Sequence, residues 1–230
     1  MKAMILAAGR GERMRPLTDS TPKPLLDVAG TPLIGWHLKR LVAAGVREVV
    51  INHAWLGEQI EAALDDGADY GVQIRYSAEN PALETAGGIA KALPLLGEAP
   101  FLVVNGDVYT DYPFADLLRR AASLPSLTGG GAHLVLVPKP DYKTGFDLAL
   151  ASDDRVQPHS TDLTPLTFSG IALYSPAFVK PIPNDRPGPL LPWLLDGMAA
   201  GVVSGERFDG TWLDVGTVER LDTARKIAHG

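Results

Sequence analysis

Residues 6–25 read LAAGRGERMRPLTDSTPKPL. Gly9 and Gly11 free the backbone to come close to an anion. Arg10, Arg13, Arg15 and Lys23 supply the positive charge that a polyphosphate needs. Pro16, Pro22 and Pro24 forbid a regular helix directly after the glycines. A loop of roughly twenty residues inside a compact domain is either functional or disordered, and the prolines argue for order. Two aspartates form a second set. FLVVNGDVYTD, residues 101–111, is an apolar strand that ends at Asp107, where open α/β sheets place their ligands. WLDVGT, residues 212–217, puts Asp214 between a short apolar run and a helix. Each aspartate alone fits an ordinary turn. Together with nucleotide phosphates they could share one Mg²⁺, an ion that prefers oxygen ligands in octahedral geometry.

Two familiar phosphate loops do not fit. A dinucleotide fingerprint needs a third glycine where Met14 stands, and it must open straight into a helix. A P-loop needs a Gly-Lys-Ser/Thr ending that this stretch lacks.

The elements around these residues alternate. Apolar runs predict strands at 3–8, 46–52, 72–77 and 101–104. Amphipathic runs predict helices at 32–44, 56–64, 87–93 and 114–123, with Thr85 as the cap of the third. After about residue 130 the rhythm changes to strands at 133–137, 146–151 and 166–174, and helices return at 190–200 and 218–228. LTGGGAH, residues 127–133, reads as a flexible link. The expected architecture is an α/β fold with helices on both faces of one sheet. We expect one domain over 1–230 with two lobes, 1–125 and 126–230, the second lining a substrate pocket.

Composition excludes several classes. The net charge of −6 argues against nucleic-acid binding. The absence of cysteine rules out disulfides and thiolate metal sites. The apolar start MKAMILAAG is too short for a signal peptide or a membrane span, so a cytoplasmic protein without a membrane partner is expected.

The stretch 6–25 resembles the signature of the sugar-1-phosphate nucleotidyltransferases, the sugar-nucleotide pyrophosphorylases. The Asn-Gly-Asp ending at Asp107 and the Trp-x-Asp-x-Gly-Thr around Asp214 are similar to further family features. The resemblance implies a Rossmann-like three-layer α/β/α sandwich with a mixed central sheet (a GT-A-like nucleotidyltransferase fold), here without a C-terminal β-helix. It implies that Ala8, Gly9, Gly11, Arg13 and Lys23 bind the nucleotide phosphates. Arg13, Lys23 and Asp107 would be catalytic, and Asp107 and Asp214 would hold Mg²⁺.

ENPALETAGGI, residues 79–89, resembles the family's base-recognition segment, with Glu79, Gly87 and Gly88 expected beside the base. Many relatives carry glutamine at the place of Glu79. A carboxylate only accepts hydrogen bonds, so Glu79 alone favours guanine, whose Watson–Crick edge offers two adjacent donors. Many other segments, among them HAWLGEQIE, KALPLLG and LTFSGIALY, are similar to a short branch of the family that transfers UMP from UTP to N-acetylmuramic acid 1-phosphate in cell-wall recycling. On the sugar side the resemblance points to Asn105, Gly145 and Asp147, although this chain has Gly-Phe-Asp where that branch has Gly-Asp-Phe. The family's lysine for the sugar phosphate is missing from VQPHSTDLTPLTF, residues 156–168.

Three rival readings stand beside this one. They are the same chemistry with GTP and mannose 1-phosphate, or with UTP or dTTP and glucose 1-phosphate; a non-catalytic nucleotide-sugar-binding regulator; and a metal-dependent glycosyltransferase. The last would need an Asp-x-Asp that Val108 and Tyr109 do not make. The sequence leaves the oligomeric state open.

Overall fold

A computed structural model describes residues 1–229. The first strand, β1 (Ala3–Leu6), is shorter than the run expected from sequence, because Ala7 and Ala8 already turn into the loop. That loop is not featureless. It folds into a 3₁₀ turn at Glu12–Met14, a short helix α1 (Leu17–Ser20) and a second 3₁₀ turn at Lys23–Leu25. A small ribbon, β2 (Asp27–Val28) with β3 (Thr31–Pro32), leads into α2 (Leu33–Ala43). Then follow β4 (Glu48–His53), α3 (Gly57–Leu64), β5 (Gln73–Ala78), α4 (Glu84–Leu96), β6 (Phe101–Asn105), β7 (Val108–Thr110) and α5 (Phe114–Arg120). The second half adds α6 (Pro125–Thr128), β8 (Ala132–Pro138), β9 (Leu148–Leu150), β10 (Val156–Pro158), β11 (Leu166–Tyr174) and α7 (Pro176–Val179). It ends with α8 (Leu191–Ala199), β12 (Val203–Arg207), β13 (Trp212–Asp214) and α9 (Val218–His229).

The main sheet is mixed. β1 lies between β4 and β6, parallel to both, and β5 extends the parallel edge. β11 pairs antiparallel with β6 and with β8, and β12 runs parallel to β8. The central strands β1 and β6 are apolar almost throughout because both faces are covered. Ala3, Ile5, Val49 and Ile51 face Ile34, Leu38, Ile60 and Leu117 from α2, α3 and α5. Met4, Val50 and Val103 face Ile89 and Leu96 of α4 and Leu194 of α8 on the other side. The result is the three-layer α/β/α sandwich expected from the resemblance. Among the described residues no helix is long and apolar enough to cross a membrane.

Three local expectations are corrected. Thr85 does not cap α4: the helix starts at Glu84, Leu83 holds the cap position, and no side chain bonds there. The helix also runs past Pro94 to Leu96: the proline gives up one helix hydrogen bond, and burial of Leu96 in the core offsets that loss. β9 covers only 148–150 of the expected 146–151, because Phe146 is exposed and Asp147 turns to Lys139. β7, β12 and β13 were not legible as strands.

Candidate active site

A third apolar cluster explains how the charged loop is held. Met14, the residue that breaks the dinucleotide pattern, is fully buried with Val28, Leu33, Tyr109, Val215 and Leu221. The loop is thereby packed against β7 and α9 at its back, which leaves Gly9, Arg10, Gly11, Arg13 and Lys23 on the cleft side, while Arg15 pairs with Asp19 on the surface. Gly11 has φ +70°, a conformation that L side chains rarely adopt, and a Cβ there would lie 3.0 Å from Thr18 Cγ2 and 3.2 Å from Lys23 Cβ. The tight turn therefore sits directly on the lysine stem.

The loop borders a cleft of about 980 Å³, a size suited to a nucleotide. Ala8, Gly9, Gly11, Arg13 and Lys23 line it from the loop, Asn105 and Asp107 from the end of β6, and Glu79 from the end of β5. Arg10 also lines it, with its guanidinium 4.0 Å above the ring of Trp55. The loop's charge pattern points to Arg10, whereas nothing in the local sequence singles out Trp55.

Lys23 is buried, and its Nζ donates to Asp107 Oδ2 at 2.7 Å. The short ribbon of β7 and β13 brings the second aspartate alongside: Asp214 is paired with Val108, and Val215 N donates to the Asp107 carbonyl at 2.8 Å. Asp214 Oδ2 faces Lys143 Nζ at 3.0 Å and Arg220 Nη1 at 3.4 Å. Burial alone would push the Asp214 carboxyl up. Lys143 first, then Arg220 and Lys23, outweigh that and hold it below the ordinary carboxylate range. Asp214 Oδ1 is buried and accepts no hydrogen bond among the described residues. An ionised buried oxygen without a donor is an available ligand position. Gly216 leaves the room here: a Cβ there would lie 2.9 Å from both Asp214 Oδ1 and Arg13 Nη2.

The two-aspartate set therefore fits a divalent cation. Among the described residues no three His, Cys, Asp or Glu side chains converge, so such an ion would rest on Asp107, Asp214 and phosphate oxygens.

Asn105 is seated by a bulge in β11. The register of β11 on β8 shifts between Phe168 and Ile171, and Gly170 there has φ +80°. A Cβ on Gly170 would lie 2.6 Å from Asn105 Nδ2. The Ser169 carbonyl, at the same bulge, accepts from Trp212 Nε1 at 2.9 Å. Neither Gly170 nor Trp212 could be assigned from sequence, because their work is to shape a neighbour.

The base-recognition segment differs most from expectation. Glu79 is buried, and both of its oxygens are engaged within the chain: Oε1 accepts from Asn52 Nδ2 and Oε2 from Leu83 N, each at 2.7 Å. Asn52 Oδ1 in turn accepts from Ala7 N at 2.9 Å. Gly87 and Gly88 are buried inside α4 rather than facing the cleft. A Cβ on Gly87 would lie 2.7 Å from the Arg186 carbonyl, and one on Gly88 would lie 2.7 Å from Glu79 Oε1. These glycines make room for protein groups behind the cleft wall.

Gly145 and Asp147 also lie outside the cleft lining. Gly145 is exposed with φ +128°, and Asp147 pairs with Lys139 Nζ at 2.7 Å. His159 bonds the Leu163 carbonyl at 2.8 Å and belongs to its own loop.

A helix-flanked mixed sheet, a glycine-and-arginine loop over a nucleotide-sized cleft, and paired aspartates beside a buried lysine define a phosphate-transfer class of protein. The chain belongs to the nucleotidyl transferase family, whose model matches residues 2–146. It is 58% identical, over 99% of this chain and 98% of the relative, to an N-acetylmuramate alpha-1-phosphate uridylyltransferase of Neisseria meningitidis serogroup B. It is 31% identical, over 94% of this chain, to mannose-1-phosphate guanyltransferase beta-A of Xenopus laevis, of which it spans 61%. Among solved structures, a Bacillus anthracis protein described as a glucose-1-phosphate thymidylyltransferase shares the fold, with a TM-score of 0.86 at 22% identity over 99% of this chain and 95% of that one.

Proposed function

We propose that this protein transfers UMP from UTP to a sugar 1-phosphate, N-acetylmuramic acid 1-phosphate, giving the UDP-sugar and pyrophosphate. The observation that carries the reading is the Lys23–Asp107 pair beside Asp214 at the mouth of the cleft, in a chain 58% identical to a uridylyltransferase for that acceptor. The identity extends over 99% of the chain, so the sugar side is covered as well as the nucleotide side. Each Glu79 oxygen already accepts a hydrogen bond from the chain, from Asn52 and from Leu83, which weakens the one sequence argument for GTP.

The nucleophile is a phosphate oxygen of the acceptor. It is already largely ionised near neutral pH, so no general base is needed, and catalysis rests on positioning and charge. Loop amides at Ala8, Gly9 and Gly11 bind the nucleotide phosphates. Lys23 aligns the α-phosphate with the acceptor phosphate. Arg13 stabilises the departing pyrophosphate. Asp107 and Asp214 hold Mg²⁺, which when bound supplies positive charge against the phosphoryl oxygens. The family generally uses a divalent metal, and Mg²⁺ is our choice because the donors are all oxygen.

Residues 1–125 serve the nucleotide and 126–230 the sugar, with Asn105 at the junction and Gly145 and Asp147 on the loop beyond it. A cysteine-free chain that takes UTP and a sugar phosphate suits the cytoplasm. The product would feed the recycling of cell-wall sugars.

The test is pyrophosphate release with UTP, GTP, CTP, dTTP and ATP, each against the 1-phosphates of N-acetylmuramic acid, mannose, glucose and N-acetylglucosamine. A dominant UTP and N-acetylmuramic acid 1-phosphate signal supports the reading. A dominant GTP and mannose 1-phosphate signal replaces it with the guanylyltransferase, and nucleotide binding without release replaces it with the regulator.

A further inference from the structure

The sugar side of the site needs a cation that its sequence did not announce. An acceptor phosphate brings close to two negative charges to a cleft that already holds a triphosphate. Lys23 is already shared between Asp107, the α-phosphate and the acceptor phosphate, too many charges for one ammonium. No lysine lies in 156–168. The structure brings one from elsewhere: Lys143, on the connection between β8 and β9, reaches across 71 residues of sequence to Asp214 Oδ2. Its side chain is one-third exposed (33%), whereas Arg220 on the same oxygen is only 13% exposed and is covered by Tyr142 at 4.5 Å. Of the two cations on Asp214, Lys143 is thus the one with room to move, on a flexible four-carbon stem.

The partner it holds is the carboxylate that a divalent ion would take. Asp214 Oδ1 already lacks a donor, so the lysine occupies one oxygen of a half-satisfied group. A divalent ion on that carboxylate would compete with the ammonium, and an ammonium released from Asp214 is free to meet another anion.

We propose that Lys143 binds the phosphate of the sugar 1-phosphate, and that it is handed over from Asp214 when that carboxylate takes the divalent ion. The inference rests on the uridylyltransferase reading for the acceptor and on the Lys143–Asp214 pair for the exchange. Lys143 is a binding and positioning group, and it has two opposite effects: it competes with the metal and recruits the acceptor.

The test uses Lys143→Met, which keeps the length and removes the charge, and Lys143→Arg, which keeps the charge. Binding of Mn²⁺ to the nucleotide-free protein is followed by the free-ion electron paramagnetic resonance signal, and steady-state kinetics are run with UTP and N-acetylmuramic acid 1-phosphate. In Lys143→Met, Mn²⁺ is expected to bind severalfold more tightly. The KM for the sugar 1-phosphate is expected to rise about tenfold or more, the size of a lost charge-assisted hydrogen bond, while the KM for UTP stays within about twofold. Lys143→Arg recovers most of the acceptor KM. Tighter metal binding with weaker acceptor binding is a pattern that general loosening of the loop does not produce. An unchanged acceptor KM, an equal rise in the UTP KM, or unchanged or weaker Mn²⁺ binding each overturns the proposal. Failure of the uridylyltransferase reading shows in the wild-type protein, as no release from this substrate pair. The Mn²⁺ arm reads the Lys143–Asp214 competition regardless.

Discussion

Glu79→Gln is expected to destabilise the protein without switching its base preference. The hydrogen bonds around Glu79 have a fixed direction. Ala7 N donates to Asn52 Oδ1 at 2.9 Å, which orients the Asn52 amide so that Nδ2 faces Glu79 Oε1 at 2.7 Å. Leu83 N supplies a second donor to Oε2 at 2.7 Å. Position 79 must therefore accept on both sides. A glutamine offers one acceptor and one donor group, so one buried N–H must face another. Flipping Asn52 only moves the mismatch to Ala7. An unsatisfied buried donor costs about 1–3 kcal/mol, and for a chain of this size each kcal/mol lowers Tm by roughly 2–4 °C. A loss of about 2 kcal/mol and some 4–8 °C is expected in urea and thermal unfolding. Asn52→Asp alone sets two carboxylates against each other and should cost at least as much. The double variant Asn52→Asp/Glu79→Gln restores every donor–acceptor pair with the same net charge, so most of the loss should return in a double-mutant cycle. If Glu79→Gln is as stable as wild type and prefers a different nucleotide, the carboxylate reads the base and this account of the cleft wall is wrong.

Other outcomes follow from the same geometry. Lys23→Ala and Asp107→Asn are expected to lower turnover by about 10²–10³ with an unchanged circular dichroism spectrum; near-normal pyrophosphate release from either variant removes it from the catalytic set. Gly88→Ala places a Cβ 2.7 Å from Glu79 Oε1 and 2.8 Å from Asn52 Nδ2, so it should cost about 1–3 kcal/mol despite alanine's better helix propensity, measurable by urea unfolding. Burial pushes the Glu206 carboxyl up, but hydrogen bonds from His133, Tyr112 and Arg120 outweigh it and lower it from 4.5 to about 2. Because the folded value is depressed, this group stabilises the fold above about pH 4.5 and the contribution is lost as pH falls towards about 2. With allowance for its partial exposure the effect is about 1–2 kcal/mol. Glu206→Gln should flatten the stability profile between pH 4.5 and 2, and an equally steep acid loss in the variant would place the titrating group elsewhere.

Local readings came through where the cause is local. The buried strands at 3–6, 48–53 and 101–105 are built on the continuous apolar runs 3–6, 49–51 and 101–104, the pattern of strands covered on both faces. The stiff cationic loop was legible because glycine, proline and arginine act through their own backbone and charge. Strands β7, β12 and β13 were missed because each is short and defined by its partner rather than by periodicity. Thr85 failed as a cap because the helix already begins one residue before it, at Glu84. Glu79, Gly87 and Gly88 are expected beside the base from the family resemblance, and the neighbours the fold gives them include Asn52 and Arg186, which the local sequence does not name.

The sequence by itself determined that a rigid, positively charged loop follows a buried first strand, and that carboxylates stand at two strand ends. Only the tertiary structure decided which of these groups meet. Lys23 finds Asp107 across 84 positions, and Lys143 finds Asp214 across 71. Side-chain type sets what a residue can bond, and that is written at its own position. Whether the bond is made with a substrate or within the chain depends on which distant donor the fold brings to 3 Å.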